Sequence, residues 1–230
     1  MEMYVEWSSH ETSPGQYDFS GANDIVKFIS IANDLGLDVI LRPGPFIDAE
    51  RDFGGLPYWL LKNDHVKLRT NDKYYMDRVT SWYTKLFSLL KPMLFKNGGP
   101  IIMIQVENEY GSFAMQTNHK DMEYLTSLRD LLIQLVGDDV LLFSTDGAGA
   151  DYLINGVVPG VYATIDFGCG TDSDWAWTVQ RLFEPRGPLV NSEYYPGWLD
   201  HWEIKYYQST YSFSILLIFF YNFKYSFSFI

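Results

Sequence analysis

Two segments of the sequence change abruptly from apolar residues to carboxylates. The first is the apolar run 101–104, which leads to Glu107 and Glu109, and the second is 188–190, which leads to Glu193. Parallel α/β barrels present catalytic groups at the carboxyl ends of buried strands. In glycoside hydrolysis, one carboxyl group protonates the departing oxygen while another attacks the anomeric carbon or activates water. We therefore expect Glu109 and Glu193 to face each other across one sugar-sized site.

The two glutamates of the first segment are predicted to have different roles. Side chains alternate along a strand, so Gln105, Glu107 and Glu109 should share one face, with Glu109 outermost beside the turn at Gly111. Glu107 would lie one layer deeper, where a buried glutamate needs a partner, and Arg42 is the candidate. A single glutamate is most often a solvated or salt-bridged surface group. Two at strand ends, each followed by tyrosine, favour a catalytic interpretation.

The pattern of apolar residues predicts the elements that position these acids. Helical spacing indicates helices within 22–36, 71–95 and 121–136, with Pro92 as a stop or kink in the second. Strands alternating with helices, each strand ending in Asp, Glu or Gly, predict a parallel sheet closed into a barrel. The six predicted strands are centred near Tyr4, Val39, Ile102, Leu141, Tyr162 and Leu189.

A (β/α)8 TIM barrel has two strands more than this count. We therefore predict a truncated barrel that holds strands two to seven, with residues 1–202 as a partial catalytic domain. Residues 203–230 are low in complexity and rich in aromatic and apolar side chains, and we predict that they are not part of the fold. The apolar centre of this tail, 215–221, is shorter than the about 20 residues that a membrane-spanning helix needs. The opening residues lack the pattern of a signal peptide.

Composition and motifs exclude several classes of function. A formal charge of −12 argues against nucleic acid as a partner, because a nucleic-acid-binding protein must neutralise phosphates. No phosphate-binding glycine loop, serine elbow or metal-ligand spacing is present, so we predict no cofactor and no metal.

His10 and His201 are interpreted as hydrogen-bonded groups, and Cys169 as a small hydrophobic residue. Most of the seven tryptophans are predicted to be core residues, with Trp198 equally suited to packing or to the sugar site.

Five long motifs give the sequence a specific resemblance. Their order is collinear over about residues 3–202, and they comprise 41–50, 54–61, 98–112, 144–147 and 187–202. The segment 98–112, Gly-Gly-Pro-Ile-Ile-Met-Ile-Gln-Val-Glu-Asn-Glu-Tyr-Gly-Ser, resembles the signature of glycoside hydrolase family 35, the lysosomal-type β-galactosidases. The resemblance implies a (β/α)8 barrel and removal of terminal β-linked galactose from glycoconjugates. It also implies a lysosomal, vacuolar or secreted location.

The resemblance further implies roles for individual residues. Carried over by matching motif, Glu109 on the fourth barrel strand would be the acid/base and Glu193 on the seventh the nucleophile of a retaining mechanism. Asn108 would hydrogen-bond the 2-hydroxyl of the sugar, a contact that strengthens in the transition state. Tyr4 and Glu50 match positions that bind galactose hydroxyls in the family.

The chain also departs from the family pattern. Ser8 stands where asparagine is usual, Glu6 where proline is usual, and Asp48 where a small residue or cysteine is usual. The first and eighth strands and the C-terminal β domains of the family have no counterpart. Two alternatives therefore remain beside an active β-galactosidase. One is a catalytically inactive fragment or galactose-binding remnant of such an enzyme, and the other is a β-glycosidase of different sugar preference on the same scaffold.

Overall fold

Six parallel strands form the centre of the molecule. The computed structural model describes residues 1–197. The strands pair in chain order to give a curled half-barrel, which confirms the prediction of a truncated (β/α)8 barrel. Their bounds are β1 (Glu2–Tyr4), β2 (Val39–Arg42), β3 (Ile101–Gln105), β4 (Leu141–Gly147), β5 (Tyr162–Asp166) and β6 (Asn191–Glu193). Because all strands run the same way, their carboxyl ends lie along one edge of the half-barrel.

Helices connect successive strands, and three of them were predicted from the sequence. Aspartates begin these three, since Asp24, Asp72 and Asp121 each accept a hydrogen bond from a backbone N–H of the first turn. The second ends at Leu90 and continues into a 3₁₀ turn that contains Pro92, as predicted. The helices are α1 (Trp7–His10), α2 (Ile25–Asp34), α3 (Lys73–Leu90), α4 (Tyr110–Thr117), α5 (Met122–Val136), α6 (Ala150–Gly156) and α7 (Ser173–Phe183).

The main core lies between the sheet and helices α2, α3 and α5. Trp7 stacks on Trp82 with their ring centroids 6.0 Å apart, and both side chains are fully buried. Trp59 packs edge-on against Trp7, so three of the tryptophans are core residues as predicted. His10 Nδ1 donates a hydrogen bond to the Glu6 backbone oxygen at 2.7 Å, in agreement with its structural interpretation.

The end of β3 differs from the prediction. The strand ends at Gln105, and the chain then turns sharply, with Glu107 at φ 62° and Glu109 at φ 44°. Both values are left-handed, so simple strand alternation does not continue through Glu109. The neighbouring strand ends hold this turn, because Glu107 N donates to Gly44 O at 3.1 Å and Glu109 N donates to Thr145 O at 3.0 Å.

Some predictions fall outside the part of the chain that the structure describes. They concern Trp198, His201 and the tail 203–230. Within residues 1–197, no helix is both long enough and apolar enough to cross a membrane.

Candidate active site

A cleft of about 680 Å³ opens at the carboxyl ends of the strands. Glu109 lines it from the turn between β3 and α4, and Asp166 lines it from the end of β5. Aromatic side chains, including Phe46, Trp175 and Tyr195, contribute to its walls. Carboxyl groups between aromatic walls are the groups that recognise and process a polyol such as a sugar.

Close packing fixes the turn that carries Glu109. Gly111 lies on the first turn of α4, and its backbone N–H donates to Asp146 Oδ1 at 2.7 Å. A Cβ atom at Gly111 would lie 2.1 Å from the backbone oxygen of Tyr152, so no larger residue fits there. Helix α4 can therefore approach α6 and the end of β4 closely, which places Glu109 at the cleft.

The surroundings of Glu109 favour its neutral form. Burial is the main cause that raises the pKa of this carboxyl to about 7, and the charges of Glu193 and Asp48 add to the rise. Arg42 and Arg69 oppose it more weakly. A carboxyl group with a pKa near neutrality can give up a proton and take it back during one reaction cycle.

Glu193 has surroundings of the opposite kind. It is the last residue of β6, where Arg42 Nη2 donates to its Oε2 at 3.0 Å and Tyr4 Oη donates to its Oε1 at 3.2 Å. These two donors lie at the ends of β2 and β1, so three strands meet at this carboxylate. A cation and a hydroxyl group that both donate to a carboxylate stabilise its charged form.

Asn108 belongs to the same hydrogen-bond network. Its Oδ1 accepts from Arg42 Nη2 at 2.5 Å and from Gln105 Nε2 at 3.0 Å. Arg42 also donates from Nε to Gln105 Oε1 at 2.6 Å. The guanidinium group therefore ties Asn108 to Glu193 and fixes the plane of the asparagine amide.

The partner predicted for Glu107 is wrong. Arg69, rather than Arg42, forms the ion pair, with Nε and Nη2 donating to the two carboxylate oxygens at 2.9 and 2.7 Å. Tyr124 Oη donates a third hydrogen bond at 3.0 Å. Arg69 reaches this position from the loop before α3, where Phe46 and other aromatic rings pack against its guanidinium group. Glu107 is 1% exposed and fully engaged, which agrees with its predicted structural role.

Within residues 1–197, the side chains of Glu50 and Glu109 do not join the hydrogen-bond network, and of these two only Glu109 lines the cleft. Glu50 lies exposed in the loop after β2, in a run from Asp48 to Glu50 whose three φ angles are all positive. Among the described residues, it makes no hydrogen bond or ion pair with Tyr4, Asn108 or Glu193. The structure thus brings Tyr4, Asn108 and Glu193 into one network, places Glu109 at the cleft, and leaves Glu50 apart from both.

Sequence reasoning did not single out several charged residues of this edge. Asp146 and Asp166 are 1% and 7% exposed, and burial raises the pKa of each. The sequence held a signal for both, since each stands at or next to the end of a strand. Arg69 lies in a loop without a pattern, so nothing in the sequence pointed to it. Within residues 1–197, no group of three or more His, Cys, Asp or Glu side chains is arranged to hold a metal ion.

Known β-galactosidases are similar to this chain in sequence. A β-galactosidase of Mus musculus is 52% identical over 202 residues, which cover 88% of this chain and 31% of that protein. A β-galactosidase of Homo sapiens is 48% identical over 202 residues, covering 88% of this chain and 29% of that protein. The chain thus spans about a third of the length of these relatives.

Solved structures share the fold at low sequence identity. An exo-β-1,4-mannosidase from Opitutaceae bacterium strain TAV5 superposes with a TM-score of 0.55 at 15% identity, over 73% of this chain and 31% of that one. This likeness concerns the fold alone. The family model for glycosyl hydrolases family 35 matches residues 1–218, nearly the whole sequence. The chain therefore belongs to glycosyl hydrolases family 35.

Proposed function

We propose that this chain carries the catalytic centre of a retaining β-galactosidase, which removes terminal β-linked galactose from glycoconjugates. Membership of the family and the β-galactosidase relatives support the reaction class. The observation that carries the proposal is the contrast between two carboxyl groups. Glu109 is half-buried with a pKa of about 7, and Glu193 is held by Arg42 and Tyr4.

In the first step, Glu109 is the acid and Glu193 the nucleophile. The Glu193 carboxylate attacks the anomeric carbon, and the bond between that carbon and the glycosidic oxygen breaks. Glu109 gives its proton to this oxygen, so the aglycone leaves as a neutral alcohol. The products are a galactosyl ester of Glu193 and an ionised Glu109.

In the second step, Glu109 acts as a base. Once Glu193 is esterified, its negative charge no longer raises the pKa of Glu109, which favours the ionised carboxylate. Glu109 then takes a proton from water as the water oxygen attacks the anomeric carbon. Galactose is released with its configuration retained, and both carboxyl groups return to their starting states.

The remaining site residues bind the sugar in this proposal. The amide of Asn108 hydrogen-bonds the 2-hydroxyl, and Arg42 orients that amide through Asn108 Oδ1. Tyr4 and Glu50 bind other galactose hydroxyls. The substrate is a β-galactoside in a glycan, glycolipid or oligosaccharide, and the family resemblance supports a lysosomal, vacuolar or secreted location.

Replacing Glu193 tests the proposal. We expect Glu193→Gln to remove almost all hydrolysis of a chromogenic β-galactoside, because an amide cannot form the glycosyl ester. The matched control is Glu123→Gln, an exposed glutamate on α5, which should keep wild-type turnover. Turnover near wild type in pure Glu193→Gln protein would refute the role of this residue. If the wild type hydrolysed the matching β-glucoside faster than the β-galactoside, the proposed sugar preference would be wrong.

A second candidate is a galactose-binding remnant without turnover. Within residues 1–197, β1 and β6 each pair with one neighbouring strand, and β6 spans Asn191–Glu193 only. Unpaired sheet edges favour association or local unfolding, which would disturb the geometry around Glu193. Titration calorimetry with galactose, run beside the chromogenic assay, separates the candidates. Binding without hydrolysis favours the remnant.

A further inference from the structure

Asp166 lies beside both proposed catalytic residues but takes no part in the mechanism above. It is the last residue of β5, and its Cα pairs in register with that of Glu193 on β6. Neighbouring strands of a sheet are about 4.8 Å apart, so the two residues stand next to each other at the same edge. Asp166 also lines the cleft together with Glu109.

The carboxyl group of Asp166 lacks the partners that its neighbours have. The side chain is 7% exposed, and its Oδ2 is buried without a hydrogen-bond partner in the described part of the chain. By contrast, Asp146 Oδ1 accepts from the backbone N–H of Gly111, and Glu193 accepts from Arg42. A buried carboxylate without a donor is strongly disfavoured, whereas a neutral carboxylic acid tolerates such a place.

The charged groups around Asp166 act mostly in the same direction. The pKa of Asp166 is raised to about 8, mainly by burial and also by the charges of Glu109 and Glu193, while Arg42 on β2 opposes the rise. Asp146 on β4 and Tyr195 after β6 complete the surroundings, and Asp166 in turn raises the pKa of both. These surroundings favour the protonated form of Asp166.

We propose that Asp166 is a further substrate-binding residue, whose carboxylic acid group hydrogen-bonds a hydroxyl group of the sugar seated in the cleft. The proposal rests on the β-galactosidase function proposed above. A carboxylic acid offers an O–H donor and a C=O acceptor, and a sugar hydroxyl can satisfy both. An anionic ligand group at this place would meet the charge of Glu193, so a neutral polyol is the chemistry that fits.

Two substitutions in the whole protein test the proposal. Asp166→Ala removes the hydrogen bond, and we expect KM for a chromogenic β-galactoside to rise about tenfold. Asp166→Asn keeps a donor and an acceptor, and its KM at pH 5 should stay within about threefold of wild type. Asp151→Asn, an exposed aspartate on α6, is the matched control and should change nothing. An unchanged KM in Asp166→Ala overturns the proposal while the β-galactosidase function stands.

The pH profile gives a readout that a purely structural role would not move. In wild type, kcat/KM should fall at alkaline pH with the loss of two protons, one each from Glu109 and Asp166 as a coupled pair. In Asp166→Asn, kcat/KM should fall with the loss of only one proton over the same pH range. If circular dichroism shows that Asp166→Ala does not fold, this measurement tests the proposal in its place. An Asp166→Asn pH profile identical to that of wild type overturns the proposal.

A wild-type protein without hydrolysis would refute the proposed function, and galactose binding would then decide the role of Asp166. Weaker binding by Asp166→Ala than by wild type in titration calorimetry supports a sugar contact. Equal binding by the two proteins, or no binding by wild type, overturns it.

Discussion

Glu107 and Glu109 stand two residues apart in one turn, yet their surroundings differ in charge. Glu107 meets Arg69 in a two-bond ion pair and accepts a third hydrogen bond from Tyr124. Glu109 is half-buried, its strongest electrostatic neighbours are Glu193 and Asp48, and its pKa rises to about 7. Burial alone therefore does not decide what a carboxyl group can do. The number of cations and hydrogen-bond donors around the carboxyl group decides what it can do.

Arg69 influences both Glu107 and Glu109. Arg69 Nη2 donates to Glu107 and to the backbone oxygen of Asn108, so the guanidinium group holds the whole turn. Its planar fork matches the carboxylate of Glu107, which accepts two hydrogen bonds from it. Glu109 receives only a weak, opposing influence from the same charge. The turn is thus anchored through one glutamate, and the other keeps an exchangeable proton.

Replacing Glu109 should produce the largest effect. Glu109→Gln removes the proposed acid, and we expect kcat for an alkyl β-galactoside to fall by about 10²–10⁴. A dinitrophenyl galactoside, whose phenolate leaves without a proton, should lose much less in the first step. Steady-state and burst kinetics on the two substrates measure this difference. Equal losses on both substrates would contradict an acid role, as would no loss on either.

The same variant should change stability in a pH-dependent way. The folded-state pKa of about 7 lies above 4.5, the ordinary value for a glutamate, so between these values the folded state binds more protons than the unfolded state. Stability is therefore lost as pH rises from 4.5 to 7 in the wild type. Above pH 7, Glu109→Gln should be more stable than wild type by at most about 3 kcal/mol, measured by urea unfolding.

Replacing Glu107 should damage the fold rather than the chemistry. Glu107→Gln leaves the charge of Arg69 buried without its partner, and we expect the free energy of unfolding to fall by about 3–5 kcal/mol. Urea unfolding at pH 6 measures this loss, with Glu123→Gln as the control for an exposed glutamate. Stability equal to that of the control would show that Glu107 is not a structural anchor, and the contrast with Glu109 would then disappear.

Replacing Asp48 should give the smallest effect. The charge of Asp48 contributes to the raised pKa of Glu109, so Asp48→Asn should lower that pKa. The residue is exposed, and water screens its charge, so we expect a shift of about half a pKa unit. The alkaline limb of the kcat/KM profile should move to lower pH by this amount. A shift to higher pH would contradict the direction of the Coulomb effect.

The fold followed from local patterns that the sequence displays openly. The predicted strand segments overlap β1 to β5, and the sixth, centred near Leu189, lies directly before β6. Apolar residues at helical spacing located α2, α3 and α5. Helices α4, α6 and α7 were not predicted individually. Each begins soon after a strand end, and α4 starts directly after a residue with positive φ, where no strand or helix pattern applies.

The site was predictable in part. Tyr4, Asn108 and Glu193 do lie in one network, while their roles and that of Glu109 stay predictions. The partner of Glu107 was wrong because Arg69 lies 38 residues away in a loop, and aromatic packing from Phe46 and Phe113 selects it. Asp166 was overlooked because its missing partners are visible only in three dimensions.

The sequence by itself determined the family, the parallel half-barrel and the carboxyl groups at strand ends, because each depends on residue type and spacing along the chain. Only the tertiary structure decided which carboxyl groups are charged. Ionisation depends on burial and on the distances to cations, donors and other acids, and residues far apart in the sequence supply these. For that reason Glu107 lies in an ion pair with Arg69, while the pKa values of Glu109 and Asp166 are raised at the cleft.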